Sequence, residues 1–376
     1  MVFEHAYRLQ KKGFNVYITF KHVEPDFKPS VFPHSEDLLI VDYGSLVDVD
    51  IVIATYWSTA YDLSDFNASY YLYFCQCDER LFYPTDDINR FWVEQTYSIL
   101  QLPIVASADF LASKLKAEFA SESFYVPYGI DLSKFHPVER PERQKKRVLI
   151  EGAGKPAFKR VDDAFKVVQG ISNIEVWYVT YDGFVAPNWN PDKVFKKVPH
   201  HEMPRIYQSC DILLKLSEVE SFGLPNLEMM ACGGAVITSN FTGHEEYAID
   251  GLNCFVVDIG DVDFARNRVK ELIQDPVVIQ KFASNGIQTA FKRNWEELKP
   301  DFADQLNALI LRIPEGNAKE IFPRLAKISM AYRKFLSANN QLSYLNDWRD
   351  TIIQRENRFI YRIARRLDSI LNHKSS

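Results

Sequence analysis

The chain has 376 residues, with 44 Lys and Arg against 50 Asp and Glu, a formal net charge of −6. Hydrophobic residues make up 47% and charged residues 25%, which excludes disordered and fibrous classes, and the mild acidity argues against a general nucleic-acid binder. No apolar run approaches the roughly 18–20 residues of a membrane-spanning helix, and the length favours two domains.

In chain order, the opening segment MVFEHAYRLQKKGF carries Glu4, His5 and Arg8 where a signal peptide would be apolar, and it reads instead as a helix ending at Gly13. Strand-like NVYITF follows at once, then DLLIVDYG (37–44), DIVIATYW (50–57), SYYLYFCQC (69–77) and LPIVASA (102–108). Between the last two, INRFWVEQTYSIL (88–100) has apolar residues at helical spacing. DFLASKLKAEF (109–119) reads as a helix opening behind a Ser107 or Asp109 cap. Strands alternating with helices imply a parallel sheet covered on both faces.

VERPERQKKR (138–147) is a composition break and reads as a solvated linker. The alternation then restarts: RVLIEGAG, a helix from Val161, IEVWYVTY, KVFKKV, a helix near 201–209, DILLKLS, a helix from Leu224, AVITSN and CFVVD. From Asn294 the pattern is almost wholly helical. Its last piece sets Ile352, Phe359, Ile363, Leu367 and Ile370 on one side, and residues 349–376 hold seven Lys/Arg against three acids. Two readings are open for residues 348–372: a helix packed on the body, or a basic amphipathic helix resting on an anionic membrane surface. The domains expected are therefore 1–137, a linker at 138–147, 148–293, and a helical extension over 294–376.

The five cysteines form an odd set without C-x-x-C spacing, which points to a reducing cytoplasm rather than a disulfide or zinc scaffold. Two D-x-D pairs use a spacing suited to a divalent cation. Asp48 and Asp50, however, are expected to precede a strand, and Asp261 and Asp263 read as helix caps, so no metal is expected.

The densest constellation is LSEVESFGLPNLEMMACGGAVITSNFTGHEEYAIDGLNCFVV (216–257). With DILLKLS as a strand, Glu218 and Glu220 fall at its carboxyl end, where ligands of open α/β sheets collect. Gly223 permits close backbone approach and Pro225 suits a first helical turn, so amides near Ser221, Phe222, Gly223 and Leu224 would form an anion site. Glu228 lies about 4.5 Å further along that helix at ~1.5 Å per residue and can face the same crevice. Two carboxylates beside an anion site suit a ligand with both phosphate and hydroxyls, such as a nucleotide-sugar.

These residues resemble a known signature: Glu220-x7-Glu228 with Phe222-Gly223-Leu224, then Met230-Ala231-Cys232-Gly233, Gly243, Glu246 and Asp250-Gly251. The run is similar to the donor-binding signature of retaining glycosyltransferases of family 4, and to members that build bacterial surface polysaccharides, rhamnose-transferring ones included. The resemblance implies an α/β protein of the GT-B fold, two Rossmann-like doubly wound domains facing across a cleft, here with a helical C-terminal extension. VPYGIDLSKFHP (126–137) resembles the family's interdomain segment, and IEGAGKPAFKRVDD (150–163) its glycine loop, with Gly152 at the turn and Lys159 matching the lysine that holds the donor diphosphate. The family usually has Arg where this chain has Ala153, so Lys155 or Arg160 would supply that phosphate contact.

By resemblance, Glu228 would bind the donor ribose, Glu220 would meet the transferred sugar, and Gly243 to Glu246 would line the pocket; Glu246 is otherwise a helix-start acid. On the acceptor side, Gln76 stands where many members have His. Asp78 and Glu79 are then the ionisable groups available to orient or deprotonate an acceptor hydroxyl, unless they only cap a loop. The activity implied is transfer of a sugar, with retention, from a nucleoside diphosphate to a saccharide or lipid-linked saccharide. Glu220 and Lys159 would be at the reacting centre, with no cofactor beyond the donor. The alternatives are a nucleotide-sugar-binding subunit without catalysis, a GT-B epimerase, and a sugar phosphorylase. Relative to the family, one strand and its glycine loop are expected to be missing ahead of the helix at Val2.

Overall fold

The computed structural model describes residues 1–353 apart from His22, residues 24–27, Val47 and Ile99, with side chains described as far as residue 340. Two compact units divide it, Met1–Ile321 and a helical one from Phe322 onward. Most of the basic helix expected over 348–372 lies outside the described residues; the backbone is helical as far as Ile353.

The first unit begins with α1 (Val2–Lys11), β1 (Tyr17–Phe20), β2 (Leu39–Asp42), β3 (Asp48–Ala54), α2 (Trp57–Ala60) and β4 (Asn67–Cys75). α3 (Ile88–Ser98), β5 (Ile104–Ala106), α4 (Asp109–Phe119) and β6 (Ser123–Tyr125) complete its first half. β3, β4, β5 and β6 form a parallel sheet in that order, while β1 and β2 pair separately as a parallel ribbon. Asp48 and Asp50 lie inside β3 rather than ahead of it, and Asp48 accepts from Asn67 Nδ2 at 2.8 Å.

The second half contains β7 (Lys146–Glu151), α5 (Val161–Val168), β8 (Ile174–Thr180), β9 (Lys193–Lys196), α6 (Met203–Gln208) and β10 (Ile212–Lys215). It continues through α7 (Leu224–Ala231), β11 (Ala235–Ser239), β12 (Phe255–Val257), α8 (Val262–Gln274) and α9 (Pro276–Phe291). Its six strands are parallel in the order β12-β11-β10-β7-β8-β9. β10 and β11 are buried along their whole length, as expected of central parallel strands covered by helices on both faces. Asp261 caps α8 through the Phe264 amide at 2.9 Å, as its position suggested.

After α9 the chain returns to the first half. Ile130 and Asn294 form a bridge, with the Ile130 amide donating to Arg293 O at 2.8 Å. α10 (Phe302–Arg312) then buries Phe302, Leu306 and Leu309 against Tyr70, Leu72 and Phe74, alternate residues on one face of β4. Each such buried side chain contributes roughly 2 kcal/mol. α11 (Ala318–Ile353) follows.

Two local expectations are corrected. Residues 138–147 are not simply a solvated linker. Arg140 donates to Gln208 O at 3.0 Å and to Cys232 O and Gly233 O at 2.8 Å each, satisfying carbonyls left open where α6 and α7 end. α4 is capped neither by Ser107 nor by Asp109: its N-cap is Ala108, with no side-chain cap of its own. The missing acceptor comes from the other half, as described next.

Candidate functional site

The second sheet reverses direction at β7: β8 and β9 extend to one side, β10 and β11 to the other. Such a switch point opens a crevice outside the carboxyl ends of the strands, here between β7 and β10. One residue past the Leu214–Ile150 pair, Lys215 and Glu151 end their strands side by side. Lys215 Nζ donates to Glu151 Oε2 at 2.6 Å and lies 3.1 Å from Glu220 Oε1, and all but a few per cent of both strand-end side chains is buried. Lys159 Nζ donates to the same Glu220 oxygen at 2.7 Å. Burial works against ionising Glu220, but Lys215 and then Lys159 outweigh it and hold the carboxyl down at about 2. The Lys215 ammonium is disfavoured by burial and held well above the ordinary lysine value by Glu151 and Glu220.

Lys159 is delivered by the loop that follows Gly152. Asp182 organises that loop, accepting from the Gly154 amide at 3.1 Å, the Lys155 amide at 2.8 Å, the Phe184 amide at 3.0 Å and the Thr180 hydroxyl at 2.7 Å. Burial would raise the Asp182 carboxyl, yet these donors hold it at about 2. The Lys155 side chain is exposed. Arg160, placed in the left-handed region with φ 46°, pairs with Asp163 at 2.6 Å and Glu218 at 3.1 Å. Both candidates to replace the arginine absent at Ala153 are thus beside the loop, and Arg160 is already neutralised.

Gly223 forms the N-cap of α7 at φ 73°, where a Cβ would lie 2.6 Å from the Phe241 ring. Of Ser221, Phe222, Gly223 and Leu224, only Leu224 is in α7; Pro225 after it has no amide hydrogen and the Asn226 amide donates to Gly223 O at 2.9 Å, so the amides of 221–224 are those that lead from Glu220 into the helix start. Glu228, on the next turn, is buried and bonds His200 Nε2 at 2.9 Å. Gly243, at φ 97°, presses so closely on Ser221 O that any Cβ would collide with it. Glu246 accepts from the Asp109 amide at 2.9 Å and the Tyr125 hydroxyl at 2.8 Å, and pairs with Arg293 at 3.4 Å. It is a helix-start acid for α4, a helix of the opposite half.

The first half faces this crevice through the end of β4. Phe82 stacks on Phe158 at 5.5 Å across the two halves. The Cys77 thiol is raised by burial and then by the Glu220 carboxylate, which puts it within electrostatic reach of the site. Gln76 Nε2 donates to Thr55 O at 3.0 Å. Asp78 is buried between Arg80, which it meets at 2.8 and 2.7 Å, and Lys114 at 2.8 Å; burial opposes its ionisation, but these cations hold it below the ordinary range. Glu79 accepts from the Trp57 amide at 2.9 Å and from the Tyr73 hydroxyl. Its burial lifts the carboxyl to about 8 despite those donors.

The structure thus brings Glu220, Lys159 and Gly152 together, with the start of α7 four residues after Glu220 in the chain. Glu228 sits on the next turn, and Glu246 and Gly243 are engaged between the halves. Sequence reasoning missed Lys215, Glu151, Asp182 and His200. A lysine inside the apolar run DILLKLS was the available signal for Lys215. Among the described residues, no group of three or more His, Cys, Asp or Glu side chains is arranged to hold a metal ion. None of their helices is long and apolar enough to cross a membrane.

Residues 189–292 match the family described as glycosyl transferases group 1. The O-antigen chain mannosyltransferase B of Escherichia coli is 34% identical over 100 residues, 26% of this chain and 26% of that relative. The chain spans about two-fifths or less of the length of the first curated relatives it matches. Among solved structures, sucrose-phosphate synthase of Thermosynechococcus elongatus superposes with a TM-score of 0.65 at 18% identity, over 82% of this chain and 92% of that one. Anabaena HepE in complex with UDP-glucose gives 0.58 at 15% identity, over 69% of this chain and 79% of that one. The chain therefore has the GT-B fold, and its second half is similar over residues 189–292 to the glycosyl transferases group 1 family.

Proposed function

We propose that this chain transfers a sugar from a nucleoside-diphosphate-sugar to a saccharide or lipid-linked saccharide acceptor, with retention at the anomeric carbon. The observation that carries the reading is the meeting of Lys159 and Glu220 at the β7–β10 switch point, with the start of α7 four residues after Glu220 in the chain. An ammonium and a cluster of amides suit a departing diphosphate, whose charge grows as the glycosidic bond breaks. Glu220 would meet the transferred sugar. Glu228, oriented by His200, would accept from the ribose hydroxyls with its remaining oxygen, and Gly243 and Glu246 would close the pocket wall. The acceptor oxygen would bond to the anomeric carbon on the face the diphosphate leaves, its proton passing to the departing phosphate oxygen. No protein nucleophile and no divalent cation enter that scheme.

The UDP-glucose complex of the Anabaena structure and the name of the Escherichia coli relative support a nucleotide-sugar donor and a role in cell-surface polysaccharide synthesis. Such synthesis would place the chain in the cytoplasm, with the basic residues of 348–372 held to the anionic inner face of the membrane. A second reading, a nucleotide-sugar-binding subunit without turnover, is favoured by Ala153 and by the full pairing of Asp78. Donor consumption separates the two. In a screen of UDP-, GDP- and dTDP-sugars, Lys159→Ala is expected to lower turnover roughly 10²-fold, and Glu228→Ala to weaken donor binding. Wild-type rates and affinities in both variants would sink the site assignment.

A further inference from the structure

The proposed transfer uses Lys159 and Glu220 but assigns nothing to the buried pair beneath them, Lys215 and Glu151. Replacing a buried ion pair by apolar residues of similar volume is often neutral or stabilising, so such a pair is a poor means of holding a fold together. Here it lies at the end of two central strands, directly under the candidate site. Lys215 Nζ and Lys159 Nζ converge on one atom, Glu220 Oε1, at 3.1 and 2.7 Å. The two cations differ in freedom. Lys215 is on a strand, almost fully buried and anchored 2.6 Å from Glu151, whereas Lys159 ends a single 3-10 turn, Ala157–Lys159, with about a quarter of its side chain exposed.

That difference matters for an ammonium that has to serve a phosphate. If Lys159 were the sole partner of Glu220, turning it toward a diphosphate would leave a buried carboxylate unpaired and facing a second anion, at a large desolvation cost. With Lys215 fixed on the same oxygen, Glu220 keeps a cation wherever Lys159 points. Glu151 in turn keeps Lys215 from following. We propose that Lys215, anchored by Glu151, is a positioning residue that holds Glu220 in place and frees Lys159 to engage the diphosphate of the donor. It would thereby compensate for the cation that Ala153 does not supply. The inference rests on the nucleotide-sugar reading of the site.

The test uses the full chain and calorimetric titration with UDP, GDP and dTDP and with their monophosphates. The double variant Glu151→Gln/Lys215→Met removes both buried charges and leaves neither unpaired; Lys215→Arg serves as the conservative control. For whichever diphosphate binds the wild type, affinity is expected to fall about ten-fold or more in the double variant, the worth of one charge-assisted contact. The corresponding monophosphate should change by less than about three-fold, and Lys215→Arg should restore diphosphate affinity. In a Lys159→Ala background the double substitution should have no further effect. Equal losses for mono- and diphosphate, or a loss that adds fully to that of Lys159→Ala, would overturn the proposal and leave the pair a structural filling. Failure of all three diphosphates to bind the wild type would overturn the nucleotide-sugar reading itself, and the inference with it.

Discussion

Glu220 and Glu79 are both acids withdrawn from solvent near the cleft, one in each half, and they ionise in opposite ways. Glu220 is held at about 2, Glu79 is lifted to about 8. Both are desolvated; the difference lies in their partners. Two ammonium groups touch Glu220, so the charge lost from water is returned at close range. Among the described residues Glu79 accepts from a phenol and a backbone amide, with Asp78 as an acidic neighbour, and these neutral dipoles do not make up for its burial. One half therefore keeps a permanent anion beside its site, while the other buries a carboxyl that stays protonated at neutral pH.

The contrast is most open to attack at Glu79. Unfolded, its carboxyl ionises near 4.5, whereas folded it keeps its proton to about 8. Across that window the native state binds more protons, so stability falls as pH rises, on the order of 4–5 kcal/mol in all. Urea midpoints at pH 5 and pH 8 should show the wild type losing stability and Glu79→Gln losing much less. A wild-type midpoint unchanged between the two would break the comparison.

Glu220 gives the opposite limb. Its folded value of about 2 lies below the ordinary 4.5, so its contribution is full above the ordinary value and disappears as pH falls through the folded one. That loss amounts to about 3 kcal/mol. Thermal melts from pH 5 down to pH 2 should be steeper in the wild type than in Glu220→Gln; identical acid limbs would count against the two-lysine arrangement.

Asp182 sharpens the lesson most gently. It too sits at about 2, held by the Thr180 hydroxyl and three amides. Those donors are part of a solvated loop, so after screening Asp182→Asn should cost only about 1 kcal/mol. Hydrogen exchange should localise the effect to residues 152–155. A loss as large as that of Glu220→Gln would show that the loop is worth more than its exposure implies.

Much of this was legible in the sequence, for identifiable reasons. Parallel strands buried on both faces read as short apolar runs, so the alternation of both halves was visible, and Glu220, Gly223 and Lys159 lie on local motifs. β6, Ser-Phe-Tyr with all three residues only half-buried, lacks the apolar run that marked the equally short β5 and β12. Pairings such as Lys215 with Glu151, 64 residues apart, depend on how β7 and β10 align, and that is a property of the folded sheet. The same holds for Glu246, whose partner amide at Asp109 is 137 residues away. A single-sequence reading sees an acid near a helix start but not whose helix it serves.

That last contact has a consequence for motion. α4 carries no side-chain cap of its own, and its first amide is satisfied by a carboxylate from the facing half. Any widening of the cleft that draws Glu246 away also strips the first turn of α4 of its acceptor, so opening and fraying are one event. The amide of Asp109 is then a clock for the cleft: its exchange with solvent counts how often the two halves part.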